Sequence, residues 1–242
     1  MPDPQTIAKR AAGEAAAALV QPGMRLGLGT GSTTAFAIEA LGRRVREEGL
    51  RVAGVPTSFA AERLAREHGV PLLTVDDLGL DRLPAGAPGL DLALDGADEV
   101  DPDLNLVKGR GGAHVREKVV AALAARFVVL ADDSKRVGRL GTTMPVPVET
   151  LPMAAEAVAR GLRGLGAVPV LRMGRAKDGP VVTDQGLWIL DARFADGIAD
   201  ARAVSDAIDT MPGVLGHGLF LGMATDLVLG RADGSVEHVQ RP

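Results

Sequence analysis

Up to Pro145, short apolar runs alternate along the chain with longer stretches in which apolar residues recur at helical spacing. The apolar runs predict strands at residues 24–28, 51–55, 72–75, 90–94 and 127–131. The longer stretches predict helices at residues 4–20, 33–48, 58–68 and 114–125. Strands that alternate with helices of this length are typical of a parallel sheet with right-handed crossovers, so we expect an α/β fold whose first part is Rossmann-like.

The pattern changes after Pro145. Strands are predicted at residues 146–148, 168–172, 181–183, 187–190 and 214–220, with helices at residues 153–165 and 200–211. This order favours a small α+β domain that resembles the ferredoxin-like motif. The last two apolar runs, at residues 227–230 and 235–239, flank an Ala-Asp-Gly turn and predict a hairpin that returns to the first domain. We therefore expect a Rossmann-like catalytic domain at residues 1–144 plus 221–242, and an inserted small domain at residues 145–220.

Composition and charge exclude several classes of protein. A formal net charge of −4, with one Trp, five Phe and no Tyr, argues against binding to nucleic acid. No apolar run reaches the ~18 residues that a membrane span needs, and no signal-peptide pattern is present. The sequence has no Cys, which excludes disulfides and thiolate chemistry. We therefore expect a cytoplasmic protein with no membrane and no nucleic-acid partner.

The segment Gly29-Thr30-Gly31-Ser32-Thr33 follows the first predicted strand and opens a helix. Glycines allow the backbone to approach a ligand closely, and a helix N-terminus offers free N–H groups to an anion. The spacing does not fit a dinucleotide fingerprint, and no Walker lysine is present. The segment therefore predicts a phosphate site, with an ordinary strand-to-helix turn capped by Ser or Thr as the alternative.

The segment Asp95-Gly96-Ala97-Asp98-Glu99 follows the strand predicted at residues 90–94. Ligands of open α/β sheets bind beyond the carboxyl ends of the strands, where two carboxylates three residues apart can both face one crevice. They can hold sugar hydroxyls or transfer protons. The alternative is a solvated acidic turn.

A third candidate is Lys108-Gly109-Arg110-Gly111-Gly112, which leads into a helix that carries Glu117. A lysine and flexible backbone N–H groups suit an oxyanion, and a carboxylate near the helix start can reach the same pocket. The alternative for Glu117 is a favourable interaction with the helix dipole and nothing more. His114 is a rival general base, although we expect it to be solvated or capping.

The fourth candidate, Asp132-Asp133-Ser134-Lys135, follows another buried strand. Lys135 can neutralise a phosphate there, whereas the alternative is a turn with a capping Asp.

In their order and spacing, these four segments resemble the signature motifs of the type A ribose-5-phosphate isomerases, over essentially the whole chain. The resemblance implies interconversion of D-ribose 5-phosphate and D-ribulose 5-phosphate through an enediolate, without a metal or an organic cofactor. It implies that Glu117 is the acid/base, that Asp95 and Asp98 hold sugar hydroxyls and assist ring opening, and that Lys108 helps to stabilise the oxyanion. The substrate-binding residues that it implies are Thr30, Gly31, Ser32, Thr33, Asp95, Gly96, Ala97, Asp98, Lys108, Gly109, Arg110, Gly111 and Lys135. It also implies a homodimer, or a tetramer.

One residue departs from the family pattern, because Arg110 stands where the family has a third glycine. If this position needs a positive φ, the arginine is strained there. If it does not, the side chain points away from the site or contacts the phosphate. A sugar-phosphate-sensing module on the same scaffold, without turnover, is the alternative function, although no basic DNA-reading helix is visible in the sequence.

Overall fold

The structure is a computed structural model that describes residues 3–176 and 178–241. Its helices are α1 (Pro4–Ala18), α2 (Ser32–Glu47), α3 (Phe59–Glu67), α4 (His114–Ala122), α5 (Ala155–Gly164) and α6 (Ala201–Asp209). Its strands are β1 (Arg25–Leu28), β2 (Ala53–Pro56), β3 (Leu90–Gly96), β4 (Glu99–Val100), β5 (Leu106–Val107), β6 (Ala124–Asp132), β7 (Val146–Thr150), β8 (Val168–Leu171), β9 (Trp188–Arg193), β10 (Val214–His217), β11 (Leu219–Phe220), β12 (Asp226–Gly230) and β13 (Val236–Gln240).

The chain divides into two compact units. The first comprises Met1–Gly96, Arg116–Lys135 and Met223–Pro242, and the second comprises Ala97–Val115 and Arg136–Gly222. Across the described residues, no helix combines the length and the apolar character that a bilayer crossing requires.

The first unit contains a six-stranded sheet in the order β13-β12-β6-β3-β1-β2. All neighbouring strands are parallel except β13, which pairs antiparallel with β12 at one edge. A parallel sheet is covered on both faces, which explains why its strands read as mostly apolar runs in the sequence, although Asp91 in β3 is exposed. The central strands contribute large apolar side chains to the core, all of them buried: Leu26, Leu28, Leu92, Leu94, Val128 and Leu130. The predicted Rossmann-like α/β fold is confirmed.

The second unit contains a four-stranded sheet in the order β10-β7-β9-β8, with every neighbouring pair antiparallel. Along the chain its elements follow the order β7-α5-β8-β9-α6-β10, which is the ferredoxin-like arrangement predicted from the sequence. One apolar core joins this sheet to its helices, with Val148, Leu162, Leu190 and Ile208 among the buried side chains. A smaller sheet in the order β11-β5-β4 also belongs to this unit.

The division into units differs from the predicted boundaries at residues 97–115, 136–144 and 221–222, which lie in the second unit. The strands β4 and β5 pair with each other and with β11, and not with the six-stranded sheet, which accounts for their place in this unit. The predicted domain boundaries themselves remain a prediction.

Two strand predictions are wrong and one needs division. Residues 181–183 form no strand, because their backbone bonds are local: the Val181 N–H donates to Arg172, and the Thr183 N–H closes a turn on Leu187. Residues 72–75 form only a single bridge, between Leu72 and Gly54. The predicted strand 214–220 is two strands, since β10 pairs with β7 in the larger sheet and β11 pairs with β5 in the smaller one.

Candidate active site

The glycine turn after β1 lets the backbone lie close to a neighbouring side chain, and it does not supply a side chain that caps the following helix. A Cβ atom on Gly29 would lie 2.3 Å from the carboxyl carbon of Asp95, so no larger residue fits there. Gly31 has a φ of 123° and occupies the N-cap position of α2, where no side chain caps the helix. The sequence alternative of a Ser or Thr cap is therefore wrong, and Ser32 and Thr33 lie in the first turn of α2 instead.

Asp95 fixes this turn from the neighbouring strand. It is 3% exposed, and its Oδ1 atom accepts hydrogen bonds from the N–H groups of Thr30 (3.0 Å) and Gly96 (2.7 Å). The Thr30 hydroxyl bonds in turn to the hydroxyls of Thr57 (2.8 Å) and Ser58 (2.7 Å), which follow β2. The turns after three parallel strands are thus joined at the carboxyl edge of the sheet, and Asp95 is a buried, hydrogen-bonded carboxylate rather than a solvated acidic residue.

Glu117 lies in the first turn of α4 and is 4% exposed. Its side chain and that of Asp95 line the same narrow cavity of the first unit, together with Gly27 and Gly29. The helix can lie this close to β1 because Gly27 has no side chain. A Cβ atom at that position would lie 2.5 Å from the Val120 side chain. Burial is costly for a carboxylate that only balances a helix dipole, so this position suits a chemical role better.

Lys135 lies just beyond the carboxyl end of β6 and is half-buried. The preceding Asp132 caps the turn, because its Oδ1 atom accepts hydrogen bonds from both the N–H (3.1 Å) and the hydroxyl of Ser134. This geometry agrees with the alternative of a turn capped by Asp132. The substrate-binding role of Lys135 stays a prediction.

In the second unit, Asp98 is joined to the glycine loop. Its N–H donates to the Val107 carbonyl (2.8 Å), and its Oδ2 atom accepts the backbone N–H of Arg110 (2.8 Å). The Arg110 side chain is exposed, with its Nε atom 3.8 Å from Asp98 Oδ1. Among the described residues, Leu104 is the one non-glycine residue with a positive φ, so Arg110 is not strained in place of glycine. The structure thus brings Asp98 and Arg110 together, whereas Ala97 connects Asp98 to Gly96 along the chain.

Lys108 is 2% exposed, which is rare for a lysine. Its backbone N–H donates to the Gly218 carbonyl (2.8 Å), and its Nζ atom lies 5.5 Å from the centre of the Phe220 ring. A cation over an aromatic face at this distance is stabilised by the ring quadrupole. The ammonium group is therefore held in a defined place, as a residue that stabilises an oxyanion must be.

The loop after Lys108 closes as a turn, in which the Gly112 N–H donates to the Gly109 carbonyl (2.9 Å). Gly109 has a φ of 104°, and a Cβ atom there would lie 2.8 Å from the imidazole of His114. His114 is fully buried, so the expectation of a solvated side chain is wrong; its Nε2 atom lies 4.0 Å from Oε2 of Glu149. Burial raises the pKa of the Glu149 carboxyl, although the Thr183 hydroxyl donates to it (2.6 Å). His114 therefore supports the loop from beneath.

Two residues beside the glycine loop escape the sequence analysis. Arg172 donates from its guanidinium to the carbonyls of Gly109 and Arg110, and it is paired with Asp191. No local signal identifies this contact, since Arg172 is 63 residues from Gly109 and belongs to a different predicted domain. Over the part of the chain that the structure describes, no group of three or more His, Asp or Glu side chains is arranged to hold a metal ion.

Comparison with known proteins agrees with this set of motifs. A family model described as "Ribose 5-phosphate isomerase A (phosphoriboisomerase A)" matches residues 53–234. A curated ribose-5-phosphate isomerase A from Thermosynechococcus vestitus is 52% identical over 223 residues, which cover 92% of this chain and 90% of that protein. Another, from Methanosarcina acetivorans, is 48% identical over 233 residues, or 96% and 94% of the two chains.

Solved structures give the same result. The ribose 5-phosphate isomerase A of Methanocaldococcus jannaschii is 42% identical and superposes with a TM-score of 0.88, covering 96% of this chain and 97% of that one. A D-ribose-5-phosphate isomerase solved in complex with phospho-erythronic acid is 39% identical, covers all of both chains and has a TM-score of 0.90. This chain belongs to the ribose-5-phosphate isomerase A family.

Proposed function

We propose that this protein interconverts D-ribose 5-phosphate and D-ribulose 5-phosphate through an enediolate, with Glu117 as the acid/base. The observation that carries the assignment of the base is the pair of buried carboxylates, Glu117 and Asp95, which line one cavity of the first unit. Family membership supplies the reaction, and the likeness of the Lys108–Glu117 segment to the family motif is the reason for choosing Glu117 over Asp95, which is equally buried.

The reaction moves two protons, one from C2 to C1 and one from the C2 oxygen to the C1 oxygen, and needs no oxidant. Glu117 takes the C2 proton of the open-chain aldose, and the C2–H electron pair forms a C1=C2 double bond while the C1 carbonyl oxygen becomes an oxyanion. Glu117 then returns the proton to C1 while the proton of the C2 hydroxyl passes to the C1 oxyanion, so that C2 becomes the ketone and C1 becomes a CH2OH group. One carboxylate therefore serves both carbons, which requires it to lie beside the C1–C2 bond.

Separate groups are proposed to hold the rest of the substrate. The first turn of α2, with Ser32 and Thr33, offers N–H and hydroxyl donors at a helix N-terminus, which suits a phosphate. Lys135, just beyond β6 of the same sheet, adds a positive charge. Asp95 and Asp98 accept sugar hydroxyls and assist ring opening, while Lys108 and the N–H groups of the glycine loop stabilise the oxyanion.

A turnover assay tests this function. Purified protein is expected to convert ribose 5-phosphate to ribulose 5-phosphate, and to convert arabinose 5-phosphate, its C2 epimer, far more slowly. Binding of ribose 5-phosphate should be measured alongside turnover, because a sensor would bind the sugar phosphate without converting it. Binding without conversion would contradict the enzymatic function.

We also propose that the chain works as a homodimer, or as a tetramer, in the cytoplasm. Several large apolar side chains of the second unit are exposed, including Val168 and Val170 on the edge strand β8 and the nearby Met173. Exposed apolar clusters of this kind are typical of surfaces that pair with another copy. A charged sugar phosphate crosses no bilayer unaided, so we expect its enzyme where it is made. Light scattering should give at least about twice the 24.9 kDa chain mass, and cell fractionation should recover the activity without membranes.

A further inference from the structure

The guanidinium group of Arg172 joins the four-stranded sheet of the second unit to the glycine loop. Arg172 directly follows β8, and its backbone is fixed on both sides: its N–H donates to Ile189 (2.9 Å) and its carbonyl accepts from Val181 (2.8 Å). Its side chain is 16% exposed, so the charge is largely removed from solvent. A guanidinium in such a place needs acceptors for its N–H groups.

Asp191 on β9 supplies two of these acceptors. Arg172 Nε donates to Asp191 Oδ2 (2.9 Å) and Nη2 donates to Oδ1 (2.5 Å), which is the bidentate geometry that arginine and carboxylates prefer. Arg172 stands beside Ile189 in the ladder, so Asp191, two residues further along β9, lies on the same face of the sheet. These two hydrogen bonds therefore fix the orientation of the Arg172 guanidinium relative to Asp191.

The remaining nitrogen, Nη1, reaches the glycine loop. It donates to the carbonyl oxygens of Gly109 (3.0 Å) and Arg110 (3.1 Å). In a planar trans peptide, the carbonyl and the following N–H point in opposite directions. Two carbonyls that converge on Arg172 therefore turn the N–H groups of Arg110 and Gly111 away from it. The Arg110 N–H is accounted for by Asp98 (2.8 Å), so the Gly111 N–H is the donor that this arrangement directs toward a ligand.

The loop needs such a restraint because its backbone is unusually free. Gly109, Gly111 and Gly112 surround Arg110, and both Gly109 (φ 104°) and Gly112 (φ 79°) adopt conformations that only glycine reaches easily. A glycine-rich segment can rotate its peptide planes at little cost, and a rotated plane presents an oxygen where an N–H is needed. A donor to a developing oxyanion is effective only when its direction is set beforehand.

We propose that Arg172, held by Asp191, is a positioning residue of the isomerase reaction. It fixes the two peptide planes that follow Gly109, so that the Gly111 N–H is directed as a donor to the enediolate oxyanion. This inference rests on the proposed function. It also gives the small domain a part in the chemistry, through a side chain that never touches substrate.

The test replaces Arg172 by Met, which keeps the apolar stem and removes all five donors. Because loss of one oxyanion donor costs about 10²–10³ in kcat, and misdirection costs part of that, we expect kcat to fall at least about 10-fold with KM within about threefold. Arg172→Lys should behave similarly, because an ammonium cannot bridge Asp191 and two carbonyls. Arg126→Met is the matched control, since Arg126 forms a similar pair with Asp226 in the first unit. It is expected to lower stability but to leave kcat unchanged.

Inhibition by phospho-erythronic acid separates positioning from folding. Like the enediolate, its carboxylate presents two neighbouring oxygens, so its Ki should rise in parallel with the loss of kcat/KM in both Arg172 variants. A merely structural role would lower the folded fraction, and with it the apparent kcat, but would leave Ki unchanged. Should Arg172→Met fail to fold, Arg172→Lys and Asp191→Asn decide by the same criteria.

Folded variants with kcat and Ki both within about threefold of wild type would overturn the inference while the isomerase function stands. A wild-type protein that does not isomerise ribose 5-phosphate would instead refute the proposed function, and this inference with it.

Discussion

The carboxylate of Asp226 should make the stability of this protein depend on pH below about pH 4. Asp226 opens β12 and is 2% exposed. It accepts hydrogen bonds from Arg126 on β6 (2.7 Å), from His238 (2.9 Å) and Gln240 (3.2 Å) on β13, and from the Thr225 hydroxyl (2.6 Å). One charge therefore ties together three adjacent strands at the edge of the six-stranded sheet.

These contacts determine the direction of the pKa shift. Burial alone would raise the pKa of Asp226, but hydrogen bonds from Arg126, Thr225, His238 and Gln240 outweigh it and lower the pKa from 3.8 to about 2. A carboxyl whose pKa is lower in the folded state stabilises that state above the unfolded pKa, and the contribution disappears as pH falls through the folded pKa. The stabilisation is then about 2 kcal/mol near pH 5 and under about 1 kcal/mol at pH 2.5.

Asp226→Asn removes the charge and keeps the shape. Urea unfolding followed by circular dichroism should show the variant less stable by about 2 kcal/mol at pH 5, with the difference shrinking by more than half at pH 2.5. Asp196→Asn, in the exposed turn after β9, is the control and should change little. An Asp226→Asn difference that is equal at the two pH values would refute the electrostatic reasoning.

Three further predictions concern the site. Gly29→Ala should displace Asp95, because the added Cβ would lie 2.3 Å from its carboxyl carbon; we expect kcat/KM to fall at least about 10-fold, whereas Gly164→Ala, which meets no atom within 4 Å, should leave it unchanged. Thr33→Val should raise KM for ribose 5-phosphate about 10-fold by removing one donor to a charged group, and an unchanged KM would locate the phosphate elsewhere. Activity should survive exhaustive EDTA treatment and dialysis, and a full loss that one divalent metal restores would show that the enzyme needs a metal.

The pattern of apolar residues predicts those strands and helices whose own sequence shows which side chains are buried. The strands predicted at residues 90–94 and 127–131 are buried except for Asp91 and read as mostly apolar runs, and they lie within the observed β3 and β6 respectively. Residues 181–183 have the same β-branched character, yet they form no strand, because Thr183 donates its hydroxyl to the buried Glu149 and bonds locally to Leu187. Propensity does not reveal whether a partner strand is available.

Some contacts of the candidate site can likewise be predicted from the sequence, and others cannot. The turn at Gly29 and the carboxylate of Asp95 could be predicted, because each follows a strand directly and the chemistry of each is local. The hydrogen bond from Arg172 to the Gly109 carbonyl could not be predicted, since it joins residues 63 positions apart through a contact that only the folded sheet creates. The burial of His114 was also beyond prediction, because it depends on the packing of Gly109 and Glu149 around the imidazole.

The central claim is that Glu117 moves the proton between C2 and C1. Glu117→Gln keeps the shape and hydrogen-bonding reach of the side chain but removes its basicity. A first-turn glutamate of another helix, Glu156 in α5, provides the matched control as Glu156→Gln. Both variants should fold, because glutamine is isosteric with glutamate and is a good helix former.

The decisive measurement is kcat and KM for ribose 5-phosphate in these two variants. We expect Glu117→Gln to lower kcat at least about 10²-fold with KM nearly unchanged, and Glu156→Gln to change neither. A near-normal kcat in Glu117→Gln would contradict the account, and the base would then have to be sought among Asp95, Asp98 and His114.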